Sequence, residues 1–223
     1  MFDYDLKQIQ RKYLMRAKLA ALILELTPFI RMVGLNGSLA RGEANEESDI
    51  DFIIIVKEDR IWTCRAFSLV LMAIFGLKRY PNKIKGRICL NLYQTEDHLE
   101  LSCKTKDLAR FHSYTLALFN QNMTYECFRR ENNWIRQFGK NFVFDSVKPS
   151  SLGQIFFIIL YPIRWFFELV FDLIFNDWGE NTLKKYQTKR IMNDPRTSQA
   201  PLGAIFLSDT ELRFHPPKSV KKS

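Results

Sequence analysis

The sequence predicts an α+β fold, with a small β-sheet flanked by helices and followed by a mainly helical region. Two apolar runs, at residues 50–56 and 88–93, are typical of strands, and the first is strongly β-branched. Apolar residues recur at helical spacing elsewhere, as over residues 4–26. We therefore predict a sheet domain over residues 1–101, a mainly helical domain over 102–215 and a disordered basic tail over 216–223.

The first elements lead to a tight turn. An amphipathic helix over residues 4–26 ends before Pro28, because the residue before a proline disfavours helical geometry. A short apolar strand over residues 29–35 follows, and Asn36-Gly37-Ser38 breaks it. The small and polar residues from there to Ser48 suit a helical turn and a loop.

A basic connector separates the two clearest strands. After the strand at residues 50–56 we predict a helix over 61–75 and then the connector over 77–87. The connector is either a solvated loop or a rim that binds phosphate or an acceptor molecule. Its five cationic side chains are Lys78, Arg79, Lys83, Lys85 and Arg87.

The second half of the sequence predicts helices over residues 107–119, 124–138 and 180–192, and a small hairpin over 204–214. Residues 152–175 are mostly apolar, but Arg164, Glu168 and Asp172 recur at i, i+4 and i+8 and form one polar stripe. We expect a helix buried in the helical domain, with contact to a membrane surface and a membrane span as the alternatives.

Composition and charge define the broad class of protein. Hydrophobic residues make up 47 % of the chain and charged residues 26 %, which is typical of a globular protein. The net charge of +9 favours an anionic partner, namely a nucleic acid, an anionic membrane surface or a polyphosphate. The four cysteines are spread singly and only three histidines are present, so we expect no zinc site. The first 18 residues are charged throughout, which favours a cytoplasmic protein with reduced thiols over one with a signal peptide.

Two aspartates stand at the beginning of the β-branched run. Asp49 and Asp51 are separated by one residue, and alternate side chains of a strand share a face, so both carboxylates project together. Two like charges at that separation repel each other unless a cation lies between them. Mg²⁺ is the fitting cation, because it prefers hard oxygen ligands and substrate phosphates.

A glycine and a serine precede these aspartates. Gly37 at a tight turn, followed by a short helix, exposes backbone N–H groups that can hold phosphate oxygens, and the Ser38 hydroxyl can add a hydrogen bond. A phosphate-binding turn and a carboxylate pair on neighbouring elements make a site for a nucleoside triphosphate. Metal ions there would polarise the α-phosphate and stabilise the leaving pyrophosphate.

Gly37-Ser38, a ten-residue spacer and Asp49-x-Asp51 together resemble the signature of the DNA polymerase beta-like nucleotidyltransferase superfamily. The sequence GSLARG…SDIDFIIIV looks most like that of the small bacterial nucleotidyltransferase domains, and a helical extension follows it here. The resemblance covers about residues 25–101 and implies a mixed sheet flanked by helices. It also implies that Asp49 and Asp51 are catalytic ligands of Mg²⁺ (or Mn²⁺), and that Gly37 and Ser38 bind the triphosphate.

One position departs from the family's pattern. Many members carry a third carboxylate on a following strand, where this chain has Asn91. An amide cannot accept a proton and is a weaker metal ligand. Either Glu96 or Asp97 takes the role, or activation of the acceptor is relaxed, or the domain binds nucleotide without fast turnover.

Two further residues are candidates for binding the nucleotide. Arg41 either contacts phosphate or faces solvent, and Ser48 either contacts the nucleotide or caps the turn. The histidines, which are His98, His112 and His215, have no metal-ligand spacing and are interpreted as structural.

The resemblance implies an Mg²⁺-dependent enzyme that transfers a nucleoside monophosphate from a triphosphate to a hydroxyl group of a small molecule, a protein or an RNA. The first alternative is a non-catalytic, antitoxin-like module that binds nucleotide or a partner protein. The second is a protein associated with a membrane surface through residues 152–175.

Overall fold

The computed structural model of the chain describes residues 2–138, 162, 164–173, 177–200 and 205–214. The helices are α1 (Phe2–Leu24), α2 (Gly37–Ala40), α3 (Ile61–Ile74), α4 (Lys106–His112), α5 (Thr124–Glu131), a 3-10 helix (Asn133–Phe138), α6 (164–173), α7 (Asp177–Met192) and α8 (Pro195–Ser198). The strands are β1 (Ile30–Asn36), β2 (Ile50–Val56), β3 (Ile88–Thr95), β4 (Leu116–Asn120), β5 (Phe206–Leu207) and β6 (Glu211–Arg213).

A mixed six-stranded sheet in the order β4-β1-β2-β3-β6-β5 organises the fold. Strands β2 and β3 are parallel, and all the other neighbours are antiparallel. Every residue of β1 and β2 is buried, because helices cover both faces of the sheet at its centre. Phe52 and Ile54 of β2 enter one hydrophobic cluster, and Ile53 and Ile55 enter the other. The predicted α+β class, with a mixed sheet flanked by helices, is confirmed.

The prediction of a helix over residues 107–119 is wrong in its second half. Helix α4 ends at His112, and β4 then pairs antiparallel with β1 at the edge of the sheet, for example Leu35 with Leu116. On the opposite side of the sheet β6 pairs with β3, and the predicted hairpin at 204–214 is present as the β5–β6 pair, with β5 at the edge. The sheet therefore extends beyond residue 101, where we predicted the sheet domain to end.

Helix α6 carries the predicted polar stripe, but the stripe faces the protein. Glu168 accepts hydrogen bonds from Arg31 at 2.9 Å and from the backbone N–H of Phe29 at 2.8 Å, and Arg164 donates to the carbonyl of Ile30. Asp172 pairs with cations at the other end of the helix. Five apolar side chains of α6 are exposed instead, while Phe171 packs against the core. The expectation of a buried apolar helix is therefore wrong for this part, while residues 152–161, 163 and 174–175 lie outside the described residues.

A membrane span was one alternative for the same region. Among the helices in the described ranges, none is both long enough and apolar enough to cross a membrane.

Candidate functional site

The two predicted aspartates meet a cysteine at the beginning of β2. Asp51 is the second residue of β2 and lies opposite Asn36 of β1 and Cys89 of β3. Carboxylate oxygens of Asp49 and Asp51 and the Sγ atom of Cys89 all lie within 4.8 Å of one another. We call these three residues the carboxylate cluster. Two carboxylates this close fit a hard divalent cation, which completes its shell with water and phosphate oxygens.

The Gly37 turn lies directly against this cluster. Strand β1 ends at Asn36, and Gly37 opens α2 with a φ of +71°. This backbone conformation is strained for residues with a Cβ atom but not for glycine. A Cβ atom added to Gly37 would overlap Oδ2 of Asp51. The structure thus brings the predicted phosphate-binding turn and the predicted carboxylates into contact.

If the chain has the nucleotide transfer activity that its resemblance implies, Gly37→Ala is expected to lower this activity by about 10²-fold, because a displacement of the reacting groups by about 1 Å has effects of this size. Part of the effect is backbone strain of about 1 kcal/mol at a positive φ. Gly42→Ala is the matched control, since Gly42 has a φ of +72° but nothing within 4 Å of an added Cβ. Steady-state kinetics of both variants separate the effect of backbone strain from that of the overlap with Asp51. Equal losses of activity in the two variants would contradict a role for the contact between Gly37 and Asp51.

Buried hydrogen bonds fix the residue before the turn. Asn36 Nδ2 donates to Nδ1 of His112 at 3.0 Å, and Asn36 Oδ1 accepts from the hydroxyl of Thr115 at 2.5 Å. Burial lowers the pKa of His112 to about 3, so the ring is neutral and its Nδ1 can accept. His112 therefore has a structural role here, as the sequence predicted, and it holds the entrance to the Gly37 turn.

An amide and a thiol occupy the position of the expected third carboxylate. Asn91 Nδ2 donates to Oδ1 of Asp51, and Cys89 Sγ donates to Oδ1 of Asn91 at 2.6 Å. Burial, and then the charge of Asp51, raise the pKa of Cys89 to about 12, so this side chain is a neutral thiol at physiological pH. Asn91 therefore orients the Asp51 carboxylate.

Neither downstream acid can replace the missing carboxylate. The backbone N–H of Glu96 bonds to the carbonyl of Val56, at the opposite end of the β2–β3 pair from Asp51 and Cys89. That end is roughly 20 Å along the strand from Cys89. Of the three alternatives, the one in which Glu96 or Asp97 takes the role of the third carboxylate is wrong, because both residues follow the far end of β3.

One arginine of the basic connector enters the site. Arg79 Nη1 lies 3.1 Å from Oδ2 of Asp49 and donates to Cys89 Sγ at 3.3 Å. Its backbone N–H bonds to the carbonyl of Ile88, which ties the connector to the start of β3. Arg79 was predicted only as one cation of a connector that could form a binding rim, and neither its contact with Asp49 nor the presence of Cys89 in the site was predicted. Cys89 precedes Asn91 by two residues on the same strand, and this shared face was the signal that could have identified it.

The remaining candidates lie in the loop between the turn and β2. Ser38 follows Gly37 in α2, and its carbonyl accepts from the N–H of Glu43 at 2.8 Å. Arg41 Nε pairs with Glu43 at 2.8 Å. Ser48 Oγ accepts from the N–H of Asn45 at 3.0 Å and thereby closes the turn before Asp49. Arg41 and Ser48 thus both have partners within the loop itself.

Comparison with known proteins agrees with this geometry. The family model described as "Nucleotidyltransferase domain" matches residues 17–137, which is more than half of the chain and contains every site residue described above. The chain belongs to this family, and the predicted relationship is confirmed. No curated protein matches the chain significantly.

Proposed function

We propose that this protein transfers a nucleoside monophosphate from a nucleoside triphosphate to a hydroxyl acceptor, with Mg²⁺ or Mn²⁺ held by Asp49 and Asp51. The observation that carries the proposal is the contact between the Gly37 turn and the Asp51 carboxylate. A turn that can bind phosphate beside a carboxylate pair that can bind a cation fits a metal–polyphosphate substrate. Membership of the nucleotidyltransferase family supports the same conclusion.

Each residue has a distinct role in this proposal. The backbone N–H groups of the Gly37 turn and the hydroxyl of Ser38 donate to phosphate oxygens. Asp49 and Asp51 hold the cation, which when bound supplies charge stabilisation at the reacting phosphate. Asn91 fixes the orientation of Asp51 through its amide. Because an amide does not accept a proton, Asn91 is a positioning residue here and not a general base.

The direct test of this function is the release of pyrophosphate. The full chain is incubated with each α-labelled nucleoside triphosphate, Mg²⁺ or Mn²⁺, and pools of RNA, protein and small hydroxyl compounds. We expect pyrophosphate release and label in one class of acceptor, and neither with Asp49→Asn. Release that is undiminished in Asp49→Asn would exclude the proposed site.

Arg79 is expected to weaken metal binding in the absence of nucleotide, because its guanidinium neutralises part of the charge of Asp49. A partly exposed ion pair is worth about 1 kcal/mol after screening, so Arg79→Gln should tighten Mn²⁺ binding by about three- to tenfold. Lys83→Gln, an exposed cation of the same connector, is the matched control. Calorimetric titration measures the affinity of both variants for Mn²⁺. Equal affinities in the two variants would show that Arg79 does not affect the metal site.

A second candidate is a nucleotide-binding module with weak or no turnover. The amide of Asn91 at the position of a third carboxylate is the observation that favours it. Such a module could act through a partner protein, as an antitoxin-like component does. It predicts tight nucleotide binding without pyrophosphate release, so the assay above separates it from the transferase.

A further inference from the structure

Helix α6 presents an apolar surface to the solvent because its polar stripe faces the α+β fold. Its three charged residues, Arg164, Glu168 and Asp172, all pair with groups of the α+β fold. No charged side chain within 164–173 is left for the outer side. We call the outer side the apolar face; its members and their exposed fractions are Trp165 (60 %), Phe166 (57 %), Phe167 (43 %), Leu169 (46 %) and Leu173 (72 %).

The orientation of α6 is fixed by its ion pairs. Arg164 is 5 % exposed, and the Arg31–Glu168 pair is also largely buried. Turning the helix to bury its apolar residues would break this network and leave buried charges without partners, which costs several kcal/mol. Contiguous exposed apolar surface of this kind marks an interaction site in soluble domains.

The surface continues onto α3. The rings of Phe67 and Phe171 are in contact, with their centroids 4.6 Å apart. Phe67, Val70 and Ile74 follow a spacing of i, i+3 and i+7, so they lie along one side of α3. Val70 and Ile74 are 55 % and 71 % exposed. The apolar face of α6 and this stripe of α3 therefore adjoin each other.

The neighbouring helix adds an exposed tryptophan and positive charge. Arg60 pairs with Asp172 at 2.8 Å and with Asp177 at 3.9 Å, which places the end of α6 beside the start of α7. On α7, Trp178 is 75 % exposed, and Lys185 and Lys189 follow it at i+7 and i+11 on the same side. Tryptophan and lysine beside an apolar face suit the headgroup region of an anionic bilayer.

We propose that the apolar face of α6 binds the surface of an anionic lipid bilayer, with the basic side of α7 at the headgroups. The net charge of +9 complements such a surface. Residues 152–163, which precede α6 in the sequence, are also uncharged, so the apolar character continues along the chain. A protein partner would leave the aromatic and lysine pattern of α7 without an explanation.

This surface is remote from the carboxylate cluster. Helix α6 bonds to Phe29, Ile30 and Arg31, at the end of the β1–β2 pair where Ile30 faces Val56. Asp51 faces Asn36 at the opposite end of that pair. The two ends are roughly 20 Å apart along the strand, so lipid binding would leave the Gly37 turn open to nucleotide. Lipid binding at α6 therefore does not depend on the proposed function.

Flotation of the full chain with vesicles tests the inference. We expect binding to phosphatidylcholine mixed with phosphatidylglycerol at about 2:1, and weaker binding to phosphatidylcholine alone or at high salt. The double change Phe166→Ser and Phe167→Ser should lower the bound fraction by about fivefold or more, because it removes apolar area that the bilayer would cover. Met123→Ser, which alters a 67 % exposed apolar residue on another helix end, is the control.

Two results would overturn the inference. The first is equal vesicle binding by the double variant and the Met123→Ser control, with both shown to be folded by thermal unfolding. The second is that the wild-type chain is a dimer in gel filtration and the double variant is a monomer, while neither protein binds vesicles. In that case a second copy of the chain, and not lipid, covers the apolar face.

Discussion

Asp51→Asn is expected to lower nucleotide transfer by about 10³-fold while the protein stays folded. Asp51 is 7 % exposed and lies between the Gly37 turn and Cys89, so it is the most enclosed carboxylate of the cluster. Losing its charge removes a metal ligand, and electrostatic groups at reacting phosphates have effects of about this size. The side-chain oxygen that accepts from Asn91 is retained in asparagine, and the repulsion with Asp49 is relieved. The free energy of unfolding should therefore be unchanged or higher.

The control for this variant is Glu47→Gln, which removes an acid of the same loop whose side chain is 70 % exposed. Steady-state kinetics and urea unfolding are measured for both variants. Activity within a factor of two of wild type in Asp51→Asn would contradict the role of Asp51. A large loss of stability would show that the carboxylate is structural.

Glu168→Ala is expected to lower the free energy of unfolding by about 3 kcal/mol, which is typical when one partner of a buried ion pair is removed. The change leaves Arg31 and Arg164 close together without their shared carboxylate. It also removes the acceptor of the Phe29 N–H. Glu58→Ala, which alters an exposed acid just after β2, is the control and should change stability by less than about 0.5 kcal/mol.

Acid should have the same effect as this substitution. Burial raises the pKa of Glu168, but the hydrogen bond and charge of Arg31 outweigh burial, so its pKa lies below the ordinary value of 4.5. The stabilisation is therefore present above about pH 4.5 and is lost as the pH falls through the lowered pKa. Urea unfolding at several pH values measures this stabilisation. If the free energies of unfolding of the wild type and the Glu168→Ala variant differ by the same amount at every pH down to strong acid, the ion pair is not its source.

The centre of the sheet and the turn could be predicted from the sequence. Strand β2 has the predicted bounds, because a run of β-branched residues buried on both faces has few alternatives. The Gly37 turn and the two aspartates were identified because their chemistry depends on local spacing, in which one residue separates the carboxylates and a glycine occupies a positive φ. These features need little knowledge of distant parts of the chain.

The remaining features depend on contacts between distant residues. Leu116–Asn120 contains leucine and alanine, which also suit a helix, and only pairing with β1 makes it a strand. The spacing of the polar residues in α6 predicted a stripe, but not the side of the helix that faces solvent. Cations on distant elements, at Arg31, Lys57 and Arg60, turn that stripe inwards. Arg79 likewise reaches Asp49 only because the connector bonds to β3.

The most direct test of the nucleotide site is the binding of Mn²⁺ followed by electron paramagnetic resonance, with and without a non-hydrolysable nucleoside triphosphate. This measurement needs no acceptor and no turnover. We predict that the wild-type chain binds Mn²⁺ more tightly when the nucleotide is present, and that the double change Asp49→Asn and Asp51→Asn abolishes this binding. Equal Mn²⁺ binding by the wild type and the double variant would contradict the assignment of the two aspartates as the metal site.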